Sequence, residues 1–257
     1  DWDFFVPPIE QALAQPAKAP GGRPAWHPKV LFKLLVLQRL YHLSDEQAEY
    51  QLADRLSFQR FAGLTLADAV PDRNTLWDFR EALRRTGVLE QLFALFNEAL
   101  RAQGLLPKEG HIVDATFVEV PRQRNNREEN AAIKEGRIPE GWEETPKRLA
   151  HKDVDARWTR KNGENHYGYK NHVKINAVSK LIEAAVVTHA AVHDSQPLGD
   201  LAQSGDGPLY ADSAYTGAPI AELLRRRHIE GQICEKGRSG QPLDEAQKQA
   251  NREKSRV

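Results

Sequence analysis

Two aspartates far apart in the chain stand in short apolar runs of a kind that can assemble a metal-dependent centre. The first lies in Gly110-His111-Ile112-Val113-Asp114-Ala115-Thr116-Phe117-Val118-Glu119-Val120, punctuated by Pro107 and Gly110 at its start and Pro121 at its end. The run is β-compatible throughout and reads as a buried strand. An unpaired ionised carboxylate in an apolar setting is very costly, so Asp114 needs a partner there, and a metal ion is one candidate. The second is Asp212, which closes Pro208-Leu209-Tyr210-Ala211 and precedes Ser213-Ala214-Tyr215. If the two strands are neighbours in one sheet, the acids converge. Taken singly, Asp114 reads as a strand acid bonded to backbone, and Asp212 as a turn former. His189 and His193 have a metal-ligand spacing only on a helix. They fall at a strand end and in a loop, and Cys234 is the only thiol, so zinc is not expected.

The elements that must position these acids begin late in the chain. Residues 1–23 hold Pro7, Pro8, Pro16, Pro20 and Gly21-Gly22, and read as an extended tail with a short helix around Ile9 to Leu13. Residues 24–105 read as an all-helical module. Val30, Leu31, Leu34, Leu35, Leu37 and Leu40 mark one helix. Ser44 with Gln47 has the capping-box spacing and starts the next. Asn74 or Thr75 caps a third that buries Leu76, Phe79 and Leu83, and Leu89 to Leu100 form a fourth, closed by Gly104. Arg73, Asn74, Trp77 and Arg80 near a helix start would suit phosphate or base contacts of a helix-turn-helix. In the plainer reading Trp77 and Phe79 are core and the charges a solvated face.

Residues 106–257 alternate strands and helices. After the Asp114 strand, residues 122–165 lose apolar periodicity and read as a long polar, basic insertion or loop, with Trp142 and Trp158 its only large anchors. Arg122, Arg124 and Arg127 at its start could track a phosphate backbone, or belong to a solvated loop. Tyr167 to Ala177 and Leu181 to His189 form a hairpin, and Lys170 and Lys174 share one face of it, where they could touch phosphates or simply be solvated. Asp194 or Ser195 caps a helix containing Leu198 and Leu201. The Asp212 strand, a helix from Pro219 to Arg227, a short strand at Ile229 to Cys234 and a polar helix from Asp244 to Arg256 complete the chain.

Composition sets the outer bounds. The chain has 257 residues, 40% hydrophobic and 28% charged, with zero formal net charge, ordinary for a globular protein. There is no apolar run long enough to cross a bilayer and no signal-peptide pattern, and one cysteine excludes an internal disulfide and fits a reducing cytoplasm. Methionine is absent and the C-terminus has no helix-ending signal, so a fragment is expected.

The element order in 106–257 is that of an RNase H-like α/β domain, a mixed sheet flanked by helices, here preceded by the all-α N-terminal domain. In that architecture, acids from the first strand, the end of the fourth strand and a late helix hold two Mg²⁺ ions about 3.5–4 Å apart for phosphoryl transfer. The residues also resemble the DDE-type insertion-sequence transposases, close to the insertion-sequence-five group. The matching stretches are Leu43-Ser44-Asp45, Asp54-Arg55-Leu56-Ser57-Phe58, Phe61-Ala62-Gly63-Leu64, Val70-Pro71-Asp72-Arg73-Asn74-Thr75 and Phe79-Arg80. They continue through Val113-Asp114-Ala115-Thr116, Gly168-Tyr169-Lys170, Val192-His193-Asp194-Ser195-Gln196 and Tyr210-Ala211-Asp212-Ser213-Ala214-Tyr215.

The resemblance implies catalytic, metal-holding aspartates at Asp114 and Asp212, Mg²⁺ with Mn²⁺ able to substitute, and strand cleavage and joining at inverted-repeat element ends. It also implies a dimer on DNA. The family's third acid is a helix glutamate with an arginine four residues before it. Glu253 has Gln249 in that place, and Glu245 and Glu235 fit no better, so the third acid is expected beyond Val257. Two rival readings are a truncated remnant that only binds DNA, and an RNase H-like nuclease without strand transfer.

Overall fold

A computed structural model describes residues 1–14, 25–161, 163–237 and 240–257. The chain divides into two compact units, Asp1–Ala99 and Leu100–Val257.

The first unit is helical: α1 (Val6–Leu13), α2 (Pro28–Leu40), α3 (Asp45–Asp54), α4 (Leu56–Ala62), α5 (Arg73–Thr86) and most of α6 (Val88–Ala102). Their apolar faces meet in one core that includes Ile9, Leu31, Leu34, Leu52, Leu76, Leu83 and Leu92. The start of the chain is therefore not an extended tail. Pro7 and Pro8 sit in the first turn of α1, where a missing N–H costs nothing, and Ile9 on the inward face is fully buried. The rest of that expected tail, residues 15–23, lies outside the described residues.

Local chemistry sets the helix starts. Ser44 and Gln47 form a reciprocal capping box on α3. The cap of α5 is Asp72, not Asn74 or Thr75: its side chain accepts from the Thr75 N–H at 2.7 Å. Asp72 keeps an extended backbone (φ −79°, ψ 167°) while its carboxylate satisfies a free N–H of the first turn.

The second unit is built on a six-stranded mixed sheet of β1 (His111–Glu119), β2 (Arg157–Lys161), β3 (Glu164–Asn176), β4 (Ile182–His189), β5 (Leu209–Ala211) and β6 (Gly231–Ile233). β1 is antiparallel to β3 and parallel to β5, and β5 is parallel to β6. The long β3 pairs with β2 over its first half and β4 over its second. This is an RNase H-like α/β sheet, preceded by an all-α region. Gly168 is where β3 crowds β1: a Cβ there would lie 2.3 Å from the Val118 carbonyl oxygen, at φ +142°, so a side chain is excluded.

One sheet face is covered by α9 (Leu198–Leu201), α10 (Ala218–Arg226) and the turn after β5. Val113, Leu198, Leu201, Leu209, Ala211, Tyr215, Leu224 and Ile229 form that core. Asp194 does not cap α9, which starts only at Leu198 after Pro197. The last helix, α11 (Glu245–Lys254), is capped by Asp244. Asn251 docks it on the end of β6, bonding the backbone N–H and carbonyl of Glu235 at 2.9 Å each.

The stretch 122–165 is not a structureless loop. It holds α7 (Arg127–Lys134), α8 (Pro146–Ala150) and β2. Its organising residue is Trp142, fully buried, whose indole N–H donates to Glu129 at 3.0 Å. Arg148 and Lys152 lie over the indole ring at 5.3 and 5.0 Å. One aromatic side chain ringed by charge leaves no apolar periodicity to read, yet cation–π and charge-assisted bonds order the segment.

Candidate active site

The β1–β5 pairing positions the two aspartates. Its register matches His111 with Leu209 and Ile112 with Tyr210. Two residues on from these pairs come Asp114, the fourth residue of β1, and Asp212, the first residue after β5. Neighbouring strands lie about 4.8 Å apart, so the two side chains leave adjoining backbones side by side. Both residues are exposed. The expectation that burial forces a partner on Asp114 is corrected: strand alternation turns Val113 into the core and Asp114 out to solvent.

Each carboxylate also makes the local backbone bond that the plainer reading expected. Asp114 Oδ1 accepts from the Ala115 N–H at 2.7 Å. Asp212 Oδ1 accepts from the Ala214 N–H at 2.9 Å, capping the 3-10 turn Ser213–Tyr215. One oxygen of each is thus fixed by the main chain. Two hard, negatively charged oxygen donors with orientation set by backbone suit Mg²⁺ or Mn²⁺, which bind through one or two carboxylates with water and phosphate completing the sphere. Among the described residues, no cluster of three or more His, Cys, Asp or Glu is placed to hold a metal ion.

A family model described as "Transposase DDE domain" matches residues 106–256, more than half of the chain. The chain belongs to the DDE transposase family. A second model, described as "Transposase domain (DUF772)", matches residues 1–82. No solved structure matches the chain. DDE transposases act on DNA and use a divalent metal, and the strand carrying Asp114 and the strand leading to Asp212 both lie inside the matched DDE domain. Among the described residues no helix is long and apolar enough to cross a membrane.

The remaining residues singled out from the sequence divide sharply. Lys170 and Lys174 do share one face of β3, but it is the covered face. Lys170 is 7% exposed and donates to the Val192 carbonyl and to Asp194, each at 2.7 Å. Lys174 is 2% exposed and grips both Asp206 oxygens at 3.0 and 2.8 Å. Neither is free for a phosphate, because β3 is flanked by β1 and β4 and its even-numbered residues point under the loops around α9. Burial pushes the Asp194 carboxyl up, but the bond to Lys170 and the charges of Lys170 and Lys161 outweigh it and hold it below its usual range.

Arg80 is likewise committed within the helical unit. Its guanidinium forms a two-pronged bond to Asp45, both at 2.7 Å, tying α5 to α3. Arg73 is exposed, with its N–H bonded to Glu49 and a guanidinium nitrogen 3.4 Å from Glu46. Trp77 is not core but about half exposed, while Phe79 is buried. Arg122, Arg124 and Arg127 are exposed at the start of the insertion. Arg122 lies 5.5 Å from the Trp158 ring centre.

Each alternative third acid is held locally. Glu253 accepts from Gln249 at 3.0 Å, Glu235 from Gln247 at 2.7 Å, and Glu245 pairs with Lys248 at 2.7 Å. Asp206 as the partner of Lys174 escaped the sequence reading. The sequence hid it, because the polar run at 170, 172, 174 and 176 alternates as a solvated strand face does.

Proposed function

We propose that this DDE transposase, of the insertion-sequence-five group, cleaves DNA at the inverted-repeat ends of its element and joins the freed 3′-hydroxyl to target DNA. Asp114 and Asp212 are the catalytic pair and hold Mg²⁺, for which Mn²⁺ substitutes. The observation that carries this reading is the β1–β5 pairing, which supports two exposed carboxylates on neighbouring chain segments, one within β1 and one directly after β5. Asp114 is fixed through Oδ1 by its neighbour's N–H, and Asp212 by the turn it caps. That preorganisation suits the holding of a hard divalent cation through carboxylate oxygens. When bound, divalent ions supply polarisation of a phosphoryl oxygen and activation of the attacking hydroxyl.

The third carboxylate of a two-ion site is a helix glutamate C-terminal to Glu253, a reading supported by the local engagement of Glu235, Glu245 and Glu253. Exposed Arg122, Arg124 and Arg127 line the approach of the DNA backbone, and Arg73 offers a further exposed cation on the helical unit. The working form is a homodimer pairing two element ends, at the nucleoid.

The test uses the full-length protein on a labelled duplex carrying one element end. Asp114→Asn and Asp212→Asn keep side-chain volume and lose the charge, so each should abolish Mg²⁺-dependent cleavage and leave end binding near wild type. Cutting by either variant at the wild-type rate would overturn the assignment. Cleavage by residues 1–257 alone would place the third carboxylate inside them, with Glu253 the first to replace.

A further inference from the structure

The sheet face that carries Asp114 runs on to the edge of the sheet. Strand alternation puts Thr116 and Val118 of β1 on that face, and Val118 pairs with Tyr169. Two residues back along β3, Tyr167 shares the face and pairs with Trp158 on β2, the outermost strand beyond β3. Thr116 is exposed, and Val118 and Trp158 are 46% and 44% exposed. Trp158 lies level with Val120, whose N–H bonds the Tyr167 carbonyl. Six residues along β1 and two strand spacings across separate it from Asp114 by about 22 Å, the length of about six stacked nucleotides. The indole rests against the buried Tyr167 ring, centroids 5.0 Å apart, and the Arg122 guanidinium stands 5.5 Å from its centre. Arg160, two residues on, shares the face and is exposed. An indole among guanidinium groups is a poor seat for an apolar protein surface, because docking would desolvate the cations. It suits a nucleobase, which needs a π-face to stack on and leaves phosphates for the cations.

We propose that Trp158 is a nucleobase-stacking residue: an unpaired base of the DNA strand that crosses this sheet face from Asp114 stacks on its indole, while Arg122 leaves the ring for the adjacent phosphate. A charge-assisted bond to phosphate is stronger than an exposed cation–π contact, so the exchange is downhill for Arg122. The path of the strand rests on the reading of Asp114 and Asp212 as the cleavage site; the stacking does not.

The test uses residues 1–257 and two single-stranded probes of equal length, a short oligothymidylate and the same chain of abasic deoxyribose phosphate. The probes carry equal charge and differ only in their bases, and binding is read by fluorescence anisotropy in metal-free buffer. Wild type should prefer the thymidine probe by about tenfold, the worth of one base–aromatic stack. Trp158→Ala should bring that preference close to one and leave the salt slope unchanged, and Trp158→Phe should keep much of it. Arg122→Ala should keep the preference and lower the slope by about 0.7, the single-strand value for one phosphate. Each protein is compared with itself on two probes, so a partly unfolded variant does not imitate the loss. A wild type without the preference would overturn the proposal, as would a Trp158→Ala protein that keeps it within twofold. Asp114→Asn is run beside these in the full-length protein. Cleavage by that variant, with the preference still lost in Trp158→Ala, would remove the cleavage-site reading and leave the stack standing.

Discussion

Replacing Lys174 with methionine tests whether β3 turns its lysines inward to hold the fold. The methionine keeps an apolar stem of similar length and removes the ammonium, leaving Asp206 11% exposed with its charge uncompensated. Asp206 would retain one donor, the Gln203 N–H at 2.8 Å. An exposed pair such as Arg225–Glu222, at 75% and 40% exposure, is worth only about 0–1 kcal/mol. Removing one partner of a buried pair costs about 3–5 kcal/mol, because the remaining charge stays desolvated. Lys174 belongs to the second class by its 2% exposure, so about 3 kcal/mol is the expected loss, a large share of an ordinary domain's stability.

The assay is urea unfolding with hydrogen exchange read on β1 and β3, because two units preclude a single two-state transition. Asp206→Asn is the milder companion, keeping the hydrogen-bond geometry without the charge. Replacing both residues, Lys174→Met with Asp206→Leu, should recover part of the loss, since neither charge is then stranded. A Lys174→Met protein losing less than about 1 kcal/mol, the exposed-pair range, would refute the reasoning. So would one that lost DNA affinity with its exchange protection intact.

Two further outcomes are expected. Replacing Arg122, Arg124 and Arg127 together by alanine should lower the slope of log binding constant against log salt by up to about 2.7, at about 0.9 per phosphate contact; an unchanged slope would remove them from the interface. The Arg80 bond, opposed in part by burial, holds the Asp45 carboxyl below its ordinary value of 3.8. The pair's stabilisation, about 1–2 kcal/mol for a half-buried two-pronged bond, is then fully present above that value. It is lost as pH falls through the lower folded-state value. An Asp45→Asn protein should show a flatter fall in helical-unit Tm below pH 4, and identical acid profiles would refute the link.

Much of the architecture was legible in order and spacing alone. Alternation marked β1, β3 and β4, the Ser44–Gln47 spacing marked the start of α3, and the apolar runs before Asp114 and Asp212 marked β1 and β5 as strands. These are short-range signals, since the period of a strand and the chemistry of a cap are written within a few residues. Which face of β3 is covered was not legible. Lys170 and Lys174 alternate as a solvated face would, and only Asp194 and Asp206, 24 and 32 residues away, make that face an interior one. The same holds for Trp142, whose partners Glu129 and Arg148 order a segment with no apolar period, and for Ile9, whose burial depends on α2 and α5. Charge pairing across such distances depends on the completed sheet and its covering loops, so only the tertiary structure could separate the lysines that hold the fold from the arginines left exposed.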